Sequence, residues 1–468
     1  MDVAGCGEMS SPQQAARACR RVFIHTFGCQ MNKLDSELVL AVLGGHGYAP
    51  AVTAEEADVI LFNTCSVRQR AEEKVYSRLG LLRTAKQRRP ELVIGVLGCM
   101  AQRAGEEILR RVPHVDFVCG TGALARLPTL IEEAAAGRRL AALEMNGGVD
   151  IRRQPGYRPL KHQAYVSIMR GCDNYCSYCV VPYLRGPEVS RQPEDILAEV
   201  QMLAADGCRE IILLGQTVNA YGKSLGRPGV SLATLLAQVG AIAGIARVRF
   251  ITSHPAYMTP ELLEAMAVVP TVCEHLHLPA QSGSNRILQA MNRRYTREEY
   301  LDIVARARER VPGITFASDF IVGFPGETEA DFEATADLVR QVHFQNCFIF
   351  RYSPRPGTRA ATLPDDVPPR EKARRNQILL KIQEEISRVE NERLIGQVVE
   401  ILVDGPSETD ASRLHGRTRH NHIVVLEPTA SGHCVRAGDL IRVRITACTP
   451  LTLFGTVVRG WDSRTASG

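Results

Sequence analysis

Three cysteines in one short segment carry the clearest chemistry of this sequence. Cys172, Cys176 and Cys179 stand four and three residues apart, so one loop can present thiolates to three corners of a [4Fe–4S] cluster. The fourth iron then stays open to the amino and carboxylate groups of a methionine moiety. A zinc site is the alternative, but structural zinc normally takes four protein ligands, and no further cysteine or histidine follows promptly.

A second group of cysteines lies at the ends of strand-like runs near the N-terminus. The runs are Val22 to Cys29, Val59 to Cys65, Leu92 to Cys99 and Val115 to Cys119, and a helix-like stretch follows each. This alternation is typical of βαβ units around a parallel sheet, whose ligands bind beyond the carboxyl ends of the strands. We therefore expect these thiols to converge. The residues alone leave open whether Cys119 is a fourth ligand or a buried thiol.

In a second predicted domain, polar residues follow the C-terminal ends of the strand-like runs, as in barrel enzymes. Six apolar runs near 165–169, 210–215, 247–252, 272–278, 314–322 and 346–352 alternate with helical stretches, which predicts a partial (β/α)6 barrel with its site at the strands' C-terminal ends. The candidate cofactor-binding residues at those ends are Gln216, Asn219, Ser253, His277, Gln281, Asp319 and Arg351. A core histidine and a surface ion pair would explain His277 and Arg351 equally well.

Composition and hydrophobic pattern predict the domain boundaries and the cellular compartment. We predict a polar leader (1–20), an N-terminal domain (21–136), a Gly- and Pro-containing linker (137–163), the barrel with an exit helix (164–393), a small β-barrel (394–460) and a tail (461–468). No apolar stretch is long enough to span a membrane, so we expect a cytoplasmic protein without a membrane partner. Fourteen cysteines in that reducing compartment favour metal ligation over disulfides.

The cysteine loop from Arg170 to Cys179 resembles that of the radical S-adenosylmethionine superfamily, with Tyr178 as the aromatic residue before the last cysteine. Ser318 to Glu327 is similar to the superfamily's fifth-strand segment that packs against adenine. The resemblance implies that Tyr178 and Gly323 contact S-adenosylmethionine and that the cluster reduces it to a radical.

Three further segments resemble the signatures of the methylthiotransferases within that superfamily. They are Thr26 to Asn32, Asn63 to Arg68 and Leu97 to Arg103. The resemblance implies that Cys29, Cys65 and Cys99 hold a second [4Fe–4S] cluster, with Cys119 outside it. It also implies an α/β chain with an N-terminal parallel-sheet domain, a radical S-adenosylmethionine barrel and a C-terminal TRAM β-barrel. We expect no catalytic residue beyond the two clusters.

The C-terminal module and several barrel segments point to a tRNA substrate. The module resembles the RNA-binding TRAM domain, and Arg413, Arg417, Arg419 and His420 lie in a stretch without acidic residues; a solvated hairpin is the alternative. Phe348 to Thr358 and Gly416 to Asn421 look most like the branch that modifies isopentenylated adenosine 37 in the anticodon loop. The resemblance further implies a low-potential reductant such as flavodoxin or ferredoxin, and we expect a monomer.

Three rival functions stay open at this point. The branches that modify threonylcarbamoyladenosine 37 of tRNA or an aspartate of a ribosomal protein share the same chemistry. A non-catalytic RNA-binding protein could instead use its clusters structurally or to sense oxygen, and such a protein would not cleave S-adenosylmethionine.

Overall fold

The structure is a computed structural model that describes residues 19–65, 69–145, 153, 158, 160–427 and 435–458. The chain divides into two compact units, residues 1–157 and 158–468. Among the described helices, none is both long enough and apolar enough to cross a membrane.

The described part of the first unit contains six parallel strands and four α-helices. The strands are β1 (Arg20–Thr26), β2 (Tyr48–Pro50), β3 (Val59–Thr64), β4 (Val93–Gly98), β5 (Phe117–Cys119) and β6 (Leu140–Ala142). The helices are α1 (Gln30–Gly44), α2 (Gln69–Arg88), α3 (Cys99–Arg111) and α4 (Leu127–Ala135). The strands pair in the order β2-β1-β3-β4-β5-β6. This confirms the predicted parallel-sheet domain.

The central strands are apolar on both faces because helices cover both. Every residue of β3 and β4 is buried. Leu61 and Leu97 pack on one side with α1 and α4, whereas Phe62 and Val96 pack on the other side with α2 and α3. Strands buried on both faces read as continuous apolar runs, which is why the sequence revealed them.

Two short edge strands were not predicted. β2 has three residues, and β6 has three residues inside the segment that the sequence analysis assigned to a linker. β2 pairs with β1 and β6 pairs with β5 through backbone hydrogen bonds, so these two edge strands form without a long apolar run.

The second unit begins with a partial barrel. Its strands are β7 (Gln163–Ser167), β8 (Met169–Arg170), β9 (Val189–Ser190), β10 (Glu210–Leu214), β11 (Arg247–Ile251), β12 (His275–His277), β13 (Thr315–Val322) and β14 (Asn346–Arg351). Its helices are α5 (Val181–Arg185), α6 (Pro193–Ala205), α7 (Leu232–Gly240), α8 (Pro260–Val268), α9 (Asn285–Ala290), α10 (Arg297–Arg310), α11 (Glu329–Val342) and the exit helix α12 (Pro369–Glu392). Parallel sheets β11-β10-β7 and β12-β13-β14 form its wall, as predicted.

Alternate residues of this wall face the helices and the barrel interior. Val166, Leu213 and Phe250 pack with the helices in the main apolar cluster. Glu210 and Arg249 alternate with that set, so they lie on the interior face, where Nε of Arg249 donates to Oε2 of Glu210 at 3.0 Å.

The C-terminal module is a closed five-stranded barrel. Its strands are β15 (Val398–Pro406), β16 (Leu414–Thr418), β17 (Ile423–Leu426), β18 (Leu440–Cys448) and β19 (Leu453–Val457), joined in the order β15-β16-β17-β19-β18. Their inward side chains form a separate apolar core. This confirms the predicted small β-barrel.

Candidate active site

The first three-cysteine group lies at the carboxyl ends of three neighbouring strands. Cys29 precedes α1 shortly after β1, Cys65 directly follows β3, and Cys99 directly follows β4 as the first residue of α3. The three strands are in register at this end. Cys29 and Cys65 also flank the point between β1 and β3 where the strand order reverses, the usual ligand position in open parallel sheets.

Gly28 allows the Cys29 loop to approach Cys65 closely. Its φ is +120°, a conformation that favours glycine, and a Cβ at this position would overlap with the Cβ of Cys65. Three thiols at one sheet edge, with a side-chain-free backbone beside them, fit a group bound by sulfur. We therefore regard this edge as able to hold an iron–sulfur cluster.

A buried amide network fixes the two loops relative to each other. Nδ2 of Asn63 donates to the carbonyl of Asn32 at 2.8 Å and to Oγ of Ser36 at 2.9 Å. Nδ2 of Asn32 donates back to Oδ1 of Asn63 at 3.2 Å. Asn32 and Asn63 are almost completely buried, so the network fixes the loop of Cys29 relative to the end of β3, which Cys65 follows. Both residues belong to the quoted signature segments, but their role was not predicted.

Cys119 lies one strand further along the sheet and faces an apolar environment. It is fully buried in the cluster that contains Leu97 and Leu124. Burial, reinforced by the negative charge of Glu144, raises the pKa of its thiol to about 12. These observations favour the interpretation of Cys119 as a core residue.

The loop of the second three-cysteine group is held by later segments of the barrel. Gly171 adopts a φ of +77°, and its N–H donates to Oε1 of Gln216 at 2.6 Å. Ser177 donates from its N–H to the carbonyl of Met291 at 3.0 Å and from Oγ to the carbonyl of Ala290 at 2.8 Å. The loop is therefore fixed independently of any bound group.

Polar groups surround the thiols of this loop. Nδ2 of Asn174 donates to Sγ of Cys172 at 3.3 Å, and Nη1 of Arg293 lies 3.5 Å from Sγ of Cys176. Burial raises the pKa of Cys179 to about 12, and the like charges of Cys176 and Cys172 add to the shift. A cationic cluster would offset that repulsion, so the donor set fits iron.

The ligand geometry of a metal centre is not preformed at either group. In the described part of the chain, no three Cys, His, Asp or Glu side chains already stand at the spacing that would hold a metal ion. The fold brings each trio to one loop or sheet edge, and binding of the cluster would set the final sulfur positions.

Three predicted cofactor residues follow β10 and β11, and two of them already have partners. The amide of Gln216 accepts from the cysteine loop, as described above. Asn219 donates to the carbonyl of His254 and accepts from its N–H, both at 2.8 Å. Ser253 is buried, and its Oγ has no hydrogen-bond partner among the described residues, so it is free to form a hydrogen bond with a ligand.

Three more predicted residues meet across β12 and β13. Nε2 of His277 lies 3.4 Å from Oδ2 of Asp319, although the geometry is not that of a hydrogen bond. Gln281 has a φ of +68°, and its N–H donates to the carbonyl of Asp319 at 2.8 Å. The structure therefore groups His277, Gln281 and Asp319 at the barrel mouth.

The last three predicted cofactor residues differ in their surroundings. Gly323 forms a turn after β13 with a φ of +70°. Tyr178 packs against the small apolar cluster that includes Phe324 and Tyr352. Arg351 ends β14 with an exposed side chain. Gly323 and Tyr178 are thus neighbours through Phe324, and Arg351 lies opposite Val322 in the β13–β14 pairing, beside the same turn.

The four predicted RNA-binding residues do not form one open surface. Arg419 pairs with Glu274 at 2.6 Å and donates to the carbonyl of Val272, at the start of the barrel's second sheet. His420 is half-buried there, and this burial lowers its pKa. Arg419 and His420 are thus engaged with the barrel, and their contact with RNA stays a prediction.

Arg413 and Arg417 are also engaged, but within the C-terminal module. Nε of Arg413 donates to the carbonyl of Leu426 at 3.1 Å, and Nε of Arg417 lies 3.5 Å from Asp404. Both side chains keep partial exposure. Their contact with RNA stays a prediction.

Sequence reasoning missed several polar residues around the second cysteine group. Asn174 lies inside the quoted cysteine loop, and Thr217 follows the predicted cofactor residue Gln216, so these two positions were the available signal. Oγ1 of Thr217 lies 3.4 Å from Sγ of Cys172. Arg293 lies in a segment without a motif, and only the fold brings it to Cys176.

Three protein-family models match the chain in the order of its domains. The Uncharacterized protein family UPF0004 matches residues 21–120, the Radical SAM superfamily matches residues 166–339, and the TRAM domain matches residues 392–458.

Curated relatives match almost the whole chain. A tRNA-2-methylthio-N(6)-dimethylallyladenosine synthase from Moorella thermoacetica is 49% identical over 446 residues, which cover 94% of this chain and 99% of the relative. The chain belongs to the tRNA-2-methylthio-N(6)-dimethylallyladenosine synthase family. A relative of the same name from Carboxydothermus hydrogenoformans is 46% identical and covers 93% of this chain and 99% of its own. Family membership confirms a radical S-adenosylmethionine transferase whose cofactors are two [4Fe–4S] clusters and S-adenosylmethionine.

Solved structures support the fold. The radical S-adenosylmethionine methyltransferase TsrM from Kitasatospora setae superposes with a TM-score of 0.55 at 15% identity, covering 73% of this chain and 77% of its own. The radical enzyme OxsB gives a TM-score of 0.50 at 12% identity, covering 79% of this chain and 56% of its own. At this identity the likeness concerns architecture alone.

Proposed function

We propose that the protein adds a methylthio group to C2 of N6-isopentenyladenosine at position 37 of tRNA. The observation that carries this proposal is the match of relatives with that activity in their name along the whole chain, including the N-terminal unit and the TRAM module. The two cysteine trios at strand ends support it, because sulfur insertion needs one site for radical formation and one for sulfur.

Each cysteine trio has its own task in this proposal. When bound, the cluster of Cys172, Cys176 and Cys179 supplies the electron that cleaves S-adenosylmethionine, and the cluster of Cys29, Cys65 and Cys99 supplies the site of the inserted sulfur. Three thiolates per cluster leave one iron for a ligand that is not protein. Asn174 donates to the sulfur of Cys172, and Arg293 donates to the sulfur of Cys176. These hydrogen bonds would stabilise negative charge on the sulfur atoms of that loop.

The strand ends of the barrel would hold the S-adenosylmethionine molecule. The buried, unpartnered Oγ of Ser253 and the pair His277 and Asp319 offer hydrogen bonds to its polar groups. Tyr178 and Gly323 would border its adenine. Gln216 and Asn219 would act indirectly, because their amides hold the cysteine loop and the β11 loop.

The proposed partners follow from the reaction. A single-stranded anticodon loop can place adenosine 37 in a pocket, with Arg413 and Arg417 near its phosphates. The cluster needs a low-potential reductant such as flavodoxin or ferredoxin. We further propose that the protein acts as a monomer in the cytoplasm.

Mass spectrometry of tRNA nucleosides from a deletion strain tests this function. We expect 2-methylthio-N6-isopentenyladenosine to disappear, with N6-isopentenyladenosine in its place, and to return with the wild-type gene but not with a Cys172→Ala/Cys176→Ala/Cys179→Ala variant. Unchanged 2-methylthio-N6-isopentenyladenosine would contradict the proposal. Loss of the methylthio form of threonylcarbamoyladenosine, or of methylthiolated ribosomal protein, would instead support one of the rival branches.

A further inference from the structure

The turn at Gly323 is held by a buried ion pair between Glu327, the last residue of the segment that resembles the superfamily's fifth strand, and Arg375 of α12. We infer that Glu327 and Arg375 are positioning residues for S-adenosylmethionine, which they serve by fixing the Gly323 turn from the exit helix α12. The inference rests on the proposed place of the cofactor's adenine at this turn.

Glu327 closes the turn on itself. Its Oε2 accepts the N–H of Gly323 at 2.6 Å, and its own N–H donates to the carbonyl of Phe324 at 2.9 Å. The Glu327 side chain has no solvent exposure. The carboxylate therefore takes the only N–H donor of Gly323 and sets the direction in which the turn leaves β13.

Arg375 compensates the buried charge of Glu327. Its Nη1 donates to Oε2 of Glu327 at 2.8 Å and to the carbonyl of the same residue at 2.9 Å, while its Nε donates to Glu371 at 2.7 Å. The Arg375 side chain is 6% exposed. Removal of one member of a buried pair leaves the other charge without compensation, so this contact is costly to break.

The protonation state of Glu327 depends on this pairing. Burial raises the pKa of Glu327, whereas the Gly323 N–H and the Arg375 guanidinium act in the opposite direction. Without Arg375 the carboxyl would favour its neutral form, which accepts a weaker hydrogen bond from Gly323.

The first turns of α12 also fill the space beside Gly323. A Cβ at Gly323 would overlap with Cγ of Lys372, and Nζ of Lys372 pairs with Asp365. Lys372 and Arg375 thus contact the turn from one helix, on its side and at its base. Because a helix is stiff, the turn is placed by α12 as well as by β13.

The matched control is the residue next to Arg375. Arg374 is half-exposed and pairs with Glu329 and Glu371 on the surface, and none of its hydrogen bonds involves Glu327. Arg374→Met therefore removes the same charge from the same helical turn and keeps the contact between Arg375 and Glu327, although the two arginines share Glu371 and Glu329. Arg375→Lys keeps the charge but not the forked geometry.

The first measurement needs neither cofactor nor turnover. Hydrogen exchange of the full chain, followed by mass spectrometry, should show faster exchange of residues 323–328 in Arg375→Met and Glu327→Gln than in wild type and Arg374→Met. The second measurement is equilibrium binding of S-adenosylmethionine to the anaerobically reconstituted proteins. At equal iron content, we expect the dissociation constant of S-adenosylmethionine to rise about tenfold in Arg375→Met and by less than about twofold in Arg374→Met. The rise in Arg375→Lys should be smaller than that in Arg375→Met.

The outcomes separate this inference from the proposed function. If wild type binds S-adenosylmethionine and Arg375→Met binds it equally well with unchanged exchange, the positioning role is overturned and the proposed function stands. If wild type itself fails to bind the cofactor, the proposed function is overturned. If Arg375→Met does not retain iron, the binding of S-adenosylmethionine to Arg375→Lys and Glu327→Gln tests the inference instead. A dissociation constant equal to that of wild type in both variants would overturn it.

Discussion

At the scale of single residues, the first cysteine site depends on neighbours that carry no metal ligand. Gly28 permits the approach of the Cys29 loop to Cys65, and Asn32 and Asn63 hold both loops through buried amides. Each thiol is carried on a short side chain, so the positions of the two loops limit how far their sulfur atoms can move toward a common cluster. The supports therefore decide whether the site can bind a cluster.

Gly28→Ala tests this dependence. We expect its iron content to fall from about eight to about four atoms, on the premise of one [4Fe–4S] cluster per cysteine trio, because the new Cβ would displace Cys65. Gly47→Ala is the control: Gly47 also has a positive φ, +81°, but nothing lies within 4 Å of its Cβ position. Both variants share a backbone cost of about 1–2 kcal/mol. Equal iron loss in the two variants would rule out the proposed clash.

Cys119 provides a second residue-scale prediction. We expect Cys119→Val to keep about eight irons, because the thiol packs in an apolar cluster away from metal chemistry. A loss of about four would instead make Cys119 a ligand.

The buried thiol of Cys119 also predicts a pH dependence. Its pKa is raised to about 12 in the folded chain, so its stabilising contribution is complete below the ordinary thiol pKa of about 8.5 and is lost as pH rises toward 12. The thermal midpoint of the first unit should therefore fall more between pH 8.5 and 11 in wild type than in Cys119→Val. Parallel curves for the two proteins would contradict the raised pKa.

At the scale of elements, a hairpin of the C-terminal module docks on the barrel. This docking hairpin, residues 414–426, lies across the N-terminal ends of the barrel strands. Nη2 of Arg249 donates to the carbonyl of Thr418 at 2.7 Å, and Nη1 of Arg247 donates to the carbonyl of Arg417 at 2.6 Å. The candidate active site lies at the opposite, C-terminal ends of the strands. This contact therefore stabilises the barrel and does not contribute residues to the site.

Arg249→Met should break this docking. The substitution leaves Glu210, which is 1% exposed, without its cation, so we expect a loss of about 3–5 kcal/mol in the free energy of unfolding. The exposed control Arg444→Met, which loses one hydrogen bond to the carbonyl of Gly396, should cost about 1 kcal/mol or less. Denaturant unfolding of both variants measures the difference. Equal stability would show that the hairpin contact is dispensable.

The sequence predicted the elements better than their contacts. Strands such as β3 and β4 were visible because burial on both faces makes them continuously apolar, and the cysteine trios were visible from spacing and strand ends. The short strand β6 was missed because backbone pairing alone defines it. Arg293, Arg375 and Arg419 find their partners through long-range contacts, which leave no local pattern.

At the scale of the whole molecule, the chain combines two cysteine trios with a TRAM barrel. The trios are built in two ways: Cys29, Cys65 and Cys99 come from the carboxyl ends of three parallel strands, whereas Cys172, Cys176 and Cys179 come from one loop. The two sites lie in different compact units, each with its own apolar core. We therefore expect that loss of one cluster leaves the other unit folded, so that the two clusters can be removed separately by mutation.

Iron and acid-labile sulfide analysis of anaerobically prepared protein tests the central claim of two independent three-cysteine clusters. We expect about eight irons per chain in wild type, about four in Cys29→Ala/Cys65→Ala/Cys99→Ala, about four in Cys172→Ala/Cys176→Ala/Cys179→Ala and none when all six are replaced. A triple variant that retains about eight irons, or a wild type that carries zinc in place of iron, would contradict the account.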